Sequence, residues 1–458
     1  QTVVHHDAKS IAYLNTFRYT SNMNTFTRFG ITIPHILLPK EKKLMKAWAV
    51  IACDQYTQDR EYWEKVETYA KDKPSTVHIT LPEVYLNDAD KPEKIKSIRR
   101  TMNDYLDKGV FTDPIESMIY VERKTEYGRT RKGLVTAVDL ETYEWKPFSK
   151  ALIRATEATI VDRIPPRMEI RRGAPLETPH IMLLVNDPGK TLIETLGKQI
   201  HDENKEAVYD TELMMNAGHL KGWKTNSEKN LAVIEKALSV IAEQNTEKDG
   251  SVFMFAVGDG NHSLATAKAV WDEYKKEHGV TDHPARYALI EIVNIYDEGL
   301  TFEPIHRVLF GIKSEDLLDC CTKELGGNVS ICSSENELEE KVGQSKASFG
   351  FVYEQNGKIV YSCLETPITE LAVSRLQPVL DKFLENNKTD KTEIDYIHGS
   401  EEVFRLGGKK GAVSILLPPI AKDSFFATIG GSGPLPRKSF SMGEASEKRF
   451  YMECRRLF

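Results

Sequence analysis

Val252-Phe-Met-Phe-Ala-Val-Gly-Asp-Gly-Asn-His-Ser-Leu-Ala-Thr-Ala-Lys268 is the stretch on which the fold class and the candidate site both turn. The apolar run 252–257 reads as a buried strand. Gly258-Asp259-Gly260 breaks it, and helical spacing follows over about 262–274. A glycine turn between strand and helix gathers unpaired backbone N–H groups and the positive end of a helix dipole at one spot, which attracts anions. Asp259 and His262 add two titratable side chains there, suited to acid–base work or a metal contact. The blander reading, a tight turn capped by Asp259 or Asn261, fits the spacing equally well. The pattern is no dinucleotide fingerprint, because Gly258-x-Gly260 lacks the third glycine.

On either side the chain alternates between apolar runs and helical spacing. Residues 31–38 and 48–53 read as strands, the second followed by Asp54-Gln55-Tyr56 and a helix over about 59–70. Residues 92–108 have helical spacing through Ile95, Ile98, Met102 and Leu106, with Pro92 in the first turn and Gly109 as a stop. Residues 117–122 and 133–140 read as a hairpin across Arg129-Thr-Arg-Lys132. A buried strand at 179–186 closes on Asp187-Pro-Gly189, and helices follow near 191–204 and 230–244. Later come a strand at 286–296, a helix at 314–325, a strand at 348–353, a helix at 368–386 and a strand at 411–417. The interleaving lacks a strict βα rhythm and predicts an α+β fold with mixed sheets. The expected division is an N-terminal arm (1–30), an N-terminal domain with an Arg-rich segment (31–187), and a C-terminal domain with the glycine turn and a basic loop (188–458).

A chain of 458 residues has room for two or three domains. Its 40% hydrophobic and 28% charged residues are ordinary for a soluble globular protein. A net charge of −7 and a pI near 6.0 argue against nucleic acid or membrane as a bulk partner. The six cysteines form no C-x-x-C pair, which predicts reduced, structural thiols in the cytoplasm or an organelle matrix. No apolar run approaches the roughly 20 residues of a bilayer span. The sequence begins at Gln1 rather than Met, so an earlier piece is expected to have been removed or to lie outside it, which leaves a signal or targeting segment open.

Two further constellations carry chemistry. Arg154, Arg163, Arg167, Arg171 and Arg172 crowd one segment, with Glu157 among them. Guanidinium forks bind phosphate or carboxylate. A carboxylate so held is expected to stay ionised, with a lowered pKa, and to take a proton from a hydroxyl nucleophile. The alternative is a solvated basic face. The second is Gly430-Gly-Ser-Gly-Pro-Leu-Pro-Arg-Lys-Ser439, superficially similar to a Walker A loop. No glycine precedes Lys438, and Pro434 and Pro436 remove backbone donors, so it reads instead as a loop carrying Arg437 and Lys438 towards a pocket. Asp54 and Gln55, just after a strand, either line a cleft as substrate contacts or cap a helix. His180, His219, His306 and His398 are isolated, without zinc-ligand spacing. A G-x-S-x-G nucleophile elbow is absent.

These motifs share a family resemblance. Asp259-Gly-Asn-His-Ser-Leu-Ala-Thr-Ala267 resembles the Asp-Gly-His-His-Arg-Tyr-x-x-Ala signature of the DUF1015 proteins. Ala155-Thr-Glu-Ala-Thr159 with Asp162-Arg163 resembles that family's His-Glu-x-Thr and Asp-Arg pattern. Gly433-Pro-Leu-Pro-Arg-Lys-Ser439 is similar to its Gly-x-Met-Pro-x-Lys-Ser element, so the order matches from about residue 30 to the C-terminus. The Asp-Gly-x-His turn also resembles that of the ParB/sulfiredoxin-like superfamily, where a similar turn binds nucleotide phosphates and some members phosphorylate free serine. The resemblance implies a ParB/sulfiredoxin-like core and an ATP- or ADP-dependent, Mg²⁺-dependent small-molecule kinase with a serine-like acceptor. In that reading Glu157 is the base. Asp259 and His262 join it in catalysis, with Asp259 on the metal. Gly258, Gly260, Asn261, Ser263, Arg154, Arg163, Arg167 and Lys438 face the phosphates, while Asp54, Gln55 and Arg437 face the acceptor. Two departures stand out: Ser263 replaces the signature arginine, and Ala155-Thr156 replaces the lead into His-Glu. The first favours the alternative of a non-catalytic nucleotide or phosphometabolite binder, or an assembly component. A phosphoester hydrolase using Asp259 and His262 is the weaker third reading. The expected partners are nucleotide and small molecule, with homo-oligomerisation left open.

Overall fold

The computed structural model describes residues 24–178 and 180–458. Most of the arm expected at 1–30 therefore lies outside the described residues. Its end is a short helix, Asn24–Thr27, leading into the strand Ile31–Thr32.

A ten-stranded mixed sheet organises the larger part of the chain. The expected hairpin forms as Ile119–Lys124 and Thr130–Asp139, in register from Ile119 opposite Val135 to Lys124 opposite Thr130. Beside it lie Tyr287–Asn294, Met182–Val185, Phe255–Asp259, Ile153–Ala155 and Tyr143–Glu144, in that order. A second hairpin, Tyr209–Glu212 and His219–Lys224, extends the other edge. Met182–Val185 runs parallel to Tyr287–Asn294, and Ile153–Ala155 runs parallel to both of its neighbours. Every residue of Tyr287–Asn294 and Met182–Val185 is buried. That burial on both faces is why these strands read as continuous apolar runs rather than alternations. The fold is mixed α/β, as the interleaving predicts.

Strands from both sides of residue 187 alternate in this sheet, so the expected boundary there runs through one continuous layer. A six-stranded antiparallel sheet forms separately from His306–Phe310, Asn328–Cys332, Ser348–Gln355, Lys358–Glu365, Glu393–Ile397 and Ala412–Leu416. It packs its own core, including Leu309, Phe349, Phe351, Leu376 and Ile415. The chain then returns to the first sheet's side: Phe450–Tyr451 pairs with Val50–Ile51, and Arg455–Arg456 with Leu176–Glu177. All six cysteines are free thiols. Among the described residues no helix is long and apolar enough to cross a membrane.

Candidate active site

Strand Phe255–Asp259 ends in the glycine turn, and helix Asn261–His278 begins at once. Gly260 is the N-cap residue, with φ +81°, a left-handed conformation that glycine adopts freely. It carries no capping side chain, so neither Asp259 nor Asn261 is the N-cap. Asp259 Oδ1 accepts the Gly260 N–H at 3.0 Å. Asn261 clips the turn to the neighbouring strand: its Oδ1 accepts the Thr156 N–H, and its Nδ2 donates to Thr156 Oγ1, both at 3.3 Å. Gly258 has no room for a side chain, because a Cβ there would lie 2.8 Å from Leu184 and 3.0 Å from Met442.

This turn is one wall of a cavity of about 1030 Å³, at the upper end of the range for small-molecule sites. Four distant segments complete it. Asp54 and Gln55 line it after strand Val50–Ile51, Glu157 after Ile153–Ala155, Arg163 and Arg167 from the turn and helix beyond, and Arg437 and Lys438 from the basic loop. All the expected site residues therefore meet at one cavity except Arg154. That side chain is 4% exposed, bonded to Glu247 at 2.9 Å and stacked over the Phe253 ring at 4.5 Å. A position inside a strand aims it away from the cavity, which corrects the expectation of a phosphate contact.

The loop docks on Glu157 through its backbone. Leu435 N donates to Thr156 O at 2.7 Å, Ala158 N to Leu435 O at 3.3 Å, and Ser439 N to Glu157 Oε1 at 3.3 Å. Lys438 sits at φ +58°, uncommon for a residue with a side chain. Burial, reinforced by Asp259, pushes the Glu157 carboxyl up to about 7 against the pull of the Ser439 N–H, Lys438 and Arg437. The expected lowering is thus reversed. The arginines that would have lowered it are engaged elsewhere: Arg167 with Glu83 (2.8 Å), Arg171 with Glu177 and Arg172 with Glu273 (both 2.6 Å).

His262 Nε2 accepts the Ile160 N–H at 3.3 Å, which leaves the ring proton on Nδ1. Burial, then Arg167, Arg163 and Arg437, lower this histidine to about 4, so it is neutral at pH 7. Ser263 Oγ lies 3.0 Å from His180 Nε2, and His180 Nδ1 lies 2.8 Å from the Tyr451 hydroxyl. Burial works against charge on His180, but Asp54 (3.4 Å away), Asp259 and Glu83 raise its pKa. Burial likewise opposes charge on Asp54, yet His180, Gln55 and Lys448 hold its carboxyl below the usual range. His180 is buried and Asp54 half-buried beside the turn, and each favours the charged form of the other.

Sequence reasoning missed Lys448, whose Nζ stands 3.5 Å from Asp259 Oδ2 inside the cavity. It sits in the charged run Glu447-Lys448-Arg449, which reads as ordinary surface. His180 was isolated in sequence and gave no signal beyond its place at the start of the apolar run 179–186, of which the structure makes a strand only from Met182. Among the described residues no group of three or more His, Cys, Asp or Glu side chains is placed to hold a metal ion. A Mg²⁺ ion needs only one or two carboxylates when phosphates supply further ligands. Asp259 meets that requirement.

The model of the family described as "protein of unknown function (DUF1015)" matches residues 34–383. The chain belongs to the DUF1015 family. The match ends before the basic loop, so the family model spans the glycine turn and Glu157 but not Arg437 and Lys438 as the motif order had suggested. No curated protein matches this DUF1015 chain. Among solved structures, a free serine kinase mutant in complex with AMP is similar at 12% identity and TM-score 0.36, covering 69% of this chain and 90% of that one. A conserved hypothetical protein from Pyrococcus furiosus is similar at 11% identity and TM-score 0.33, covering 68% and 90%.

Proposed function

We propose that this protein is a nucleotide-dependent kinase that phosphorylates a small hydroxylated, serine-like metabolite, built on a ParB/sulfiredoxin-like core. The observation that supports it best is Glu157. A carboxyl raised to about 7 by burial stands in a large cavity between the glycine turn and a basic loop. A general base works best with a pKa near the operating pH. Glu157 takes the proton of the acceptor hydroxyl as its oxygen bonds to the terminal phosphorus of ATP or ADP. The bridging P–O bond breaks, and the shortened nucleotide leaves with that electron pair. The N–H groups opening helix Asn261–His278, the His262 Nδ1–H and the cations Arg163, Arg437, Lys438 and Lys448 hold and neutralise the phosphates. Bound Mg²⁺, held by Asp259, would add neutralisation of the same charge. Positioning and charge account for most of the rate, because phosphoryl transfer asks little covalent chemistry of the protein.

A second reading, nucleotide binding without catalysis, is favoured by Ser263. Where the family signature has arginine, this hydroxyl bonds to His180 and brings no cation of its own. Incubation with ATP or ADP and a serine-containing metabolite pool, read by mass spectrometry, separates the two. A new phosphometabolite that disappears in Glu157→Gln supports the kinase. Tight nucleotide binding with no product supports the binder. Wild-type turnover in both Glu157→Gln and His262→Ala sinks the assignment of roles.

A further inference from the structure

A second cavity of about 160 Å³ adjoins the first. Its walls are mainly apolar, from Ile79, Leu81, Ile170, Ala174 and Leu176. Glu83, Leu86, Arg167 and Ser263 line both cavities, so the two abut there. The Glu83–Arg167 ion pair, with Arg167 Nε 2.8 Å from Glu83 Oε1, stands on that border. His180 faces the small cavity beside Ser263. Thr80, Thr178, Thr266, Tyr451 and the Arg171–Glu177 ion pair (2.6 Å) also line it, and hydrocarbon makes up most of the remaining wall.

An empty apolar pocket forfeits dispersion contacts on every wall, and occupation by an apolar group restores them. A ligand that reaches from the polar cavity into this one must be polar at one end and apolar at the other. Free serine has nothing to place there. We propose that the small cavity is a specificity pocket: the acceptor carries a compact apolar group, a branched aliphatic chain or a single aromatic ring, that seats between Leu81 and Ala174 beyond the Glu83–Arg167 pair. This rests on the kinase reading for the role of the acceptor, but not for the binding itself.

Saturation-transfer NMR on the full chain, with benzyl alcohol as probe and glycerol as control, tests the pocket without any turnover. Benzyl alcohol is expected to bind at least tenfold more tightly than glycerol. Ala174→Phe and Ile170→Trp, which fill the pocket from different segments, are expected to cut its signal at least fivefold while ADP affinity stays within twofold. An undiminished signal in either variant that melts like the wild type overturns the proposal, as does equal binding of the two probes to the wild type. Parallel assays with ATP, comparing serine with β-phenylserine, separate this from the kinase reading. Phenylserine is expected to exceed serine in kcat/KM at least tenfold, an advantage lost in Ala174→Phe. Probe binding with no phosphorylated acceptor leaves the pocket standing and ends the kinase reading. Serine phosphorylation indifferent to the filled pocket does the reverse.

Discussion

In the proposed kinase Glu157 carries the chemistry in one side chain, and its environment makes opposite demands on rate and stability. A base must be deprotonated to act, so turnover is expected to rise as pH passes through about 7. Replacement by Gln should lower kcat by a factor of about 10² to 10⁴ and remove that limb of the profile, with ADP affinity retained by calorimetry. Stability runs the other way. Between the ordinary carboxyl value of 4.5 and about 7 the folded state binds more protons than the unfolded one, so stability falls as pH rises through this window. Glu157→Gln should therefore melt higher than the wild type at pH 8 and match it below pH 4.5; an unchanged melting point at pH 8 refutes the raised carboxyl. Arg154 makes the complementary case. Its pair with Glu247 is structural, so Arg154→Met should cost about 1–3 kcal/mol in denaturant unfolding and leave nucleotide affinity alone. Sequence showed an arginine-rich segment but not where each fork goes, because every partner is remote: Glu83, Glu177, Glu247 and Glu273 come from four other parts of the chain.

At the level of elements, the strand–turn–helix unit was legible because each part is local. An apolar run, paired glycines and a 3.6-residue period need no knowledge of distant neighbours. Gly260 lets that turn form without strain. A Cβ there would sit 3.1 Å from the Ile181 Cα at a φ of +81°, so Gly260→Ala should destabilise by about 1–3 kcal/mol and weaken ADP binding through the displaced helix start. Urea midpoints with calorimetry check both effects. Other elements escaped the sequence for a physical reason. Tyr209–Glu212 alternates aromatic or threonine with acid, and only its inner residues are buried. Glu393–Ile397 and Asn328–Cys332 are edge strands of the six-stranded sheet with mostly exposed or half-exposed residues. Edges carry little hydrophobic signal because one side has no neighbour to pack against. The docking of the basic loop on Glu157 is made by backbone groups, which no side-chain pattern encodes.

On the scale of the whole molecule, residues 447–456 thread back through the first sheet's surroundings by buried charge. Arg449 bonds Glu291 and Glu453, Tyr451 bonds His180 and Cys53, and Arg455 bonds Glu177 at 2.5 Å. Truncating one partner of such a pair leaves the other charge buried and alone, so Arg455→Ala should cost about 3–5 kcal/mol. The same variant should weaken ADP binding, because the segment it anchors delivers Lys448 to Asp259; full ADP affinity in a folded Arg455→Ala protein counts against that link. The order of assembly follows from this threading. A chain leaving the ribosome at about 5–20 residues per second has the glycine turn and Glu157 long before residues 437–451 emerge. Until then the cavity lacks its basic wall and the cation beside Asp259. On the proposed kinase reading the newborn protein therefore stays inert while it is being made, and a product stopped before residue 437 keeps Glu157 and the glycine turn but lacks the cations Arg437, Lys438 and Lys448.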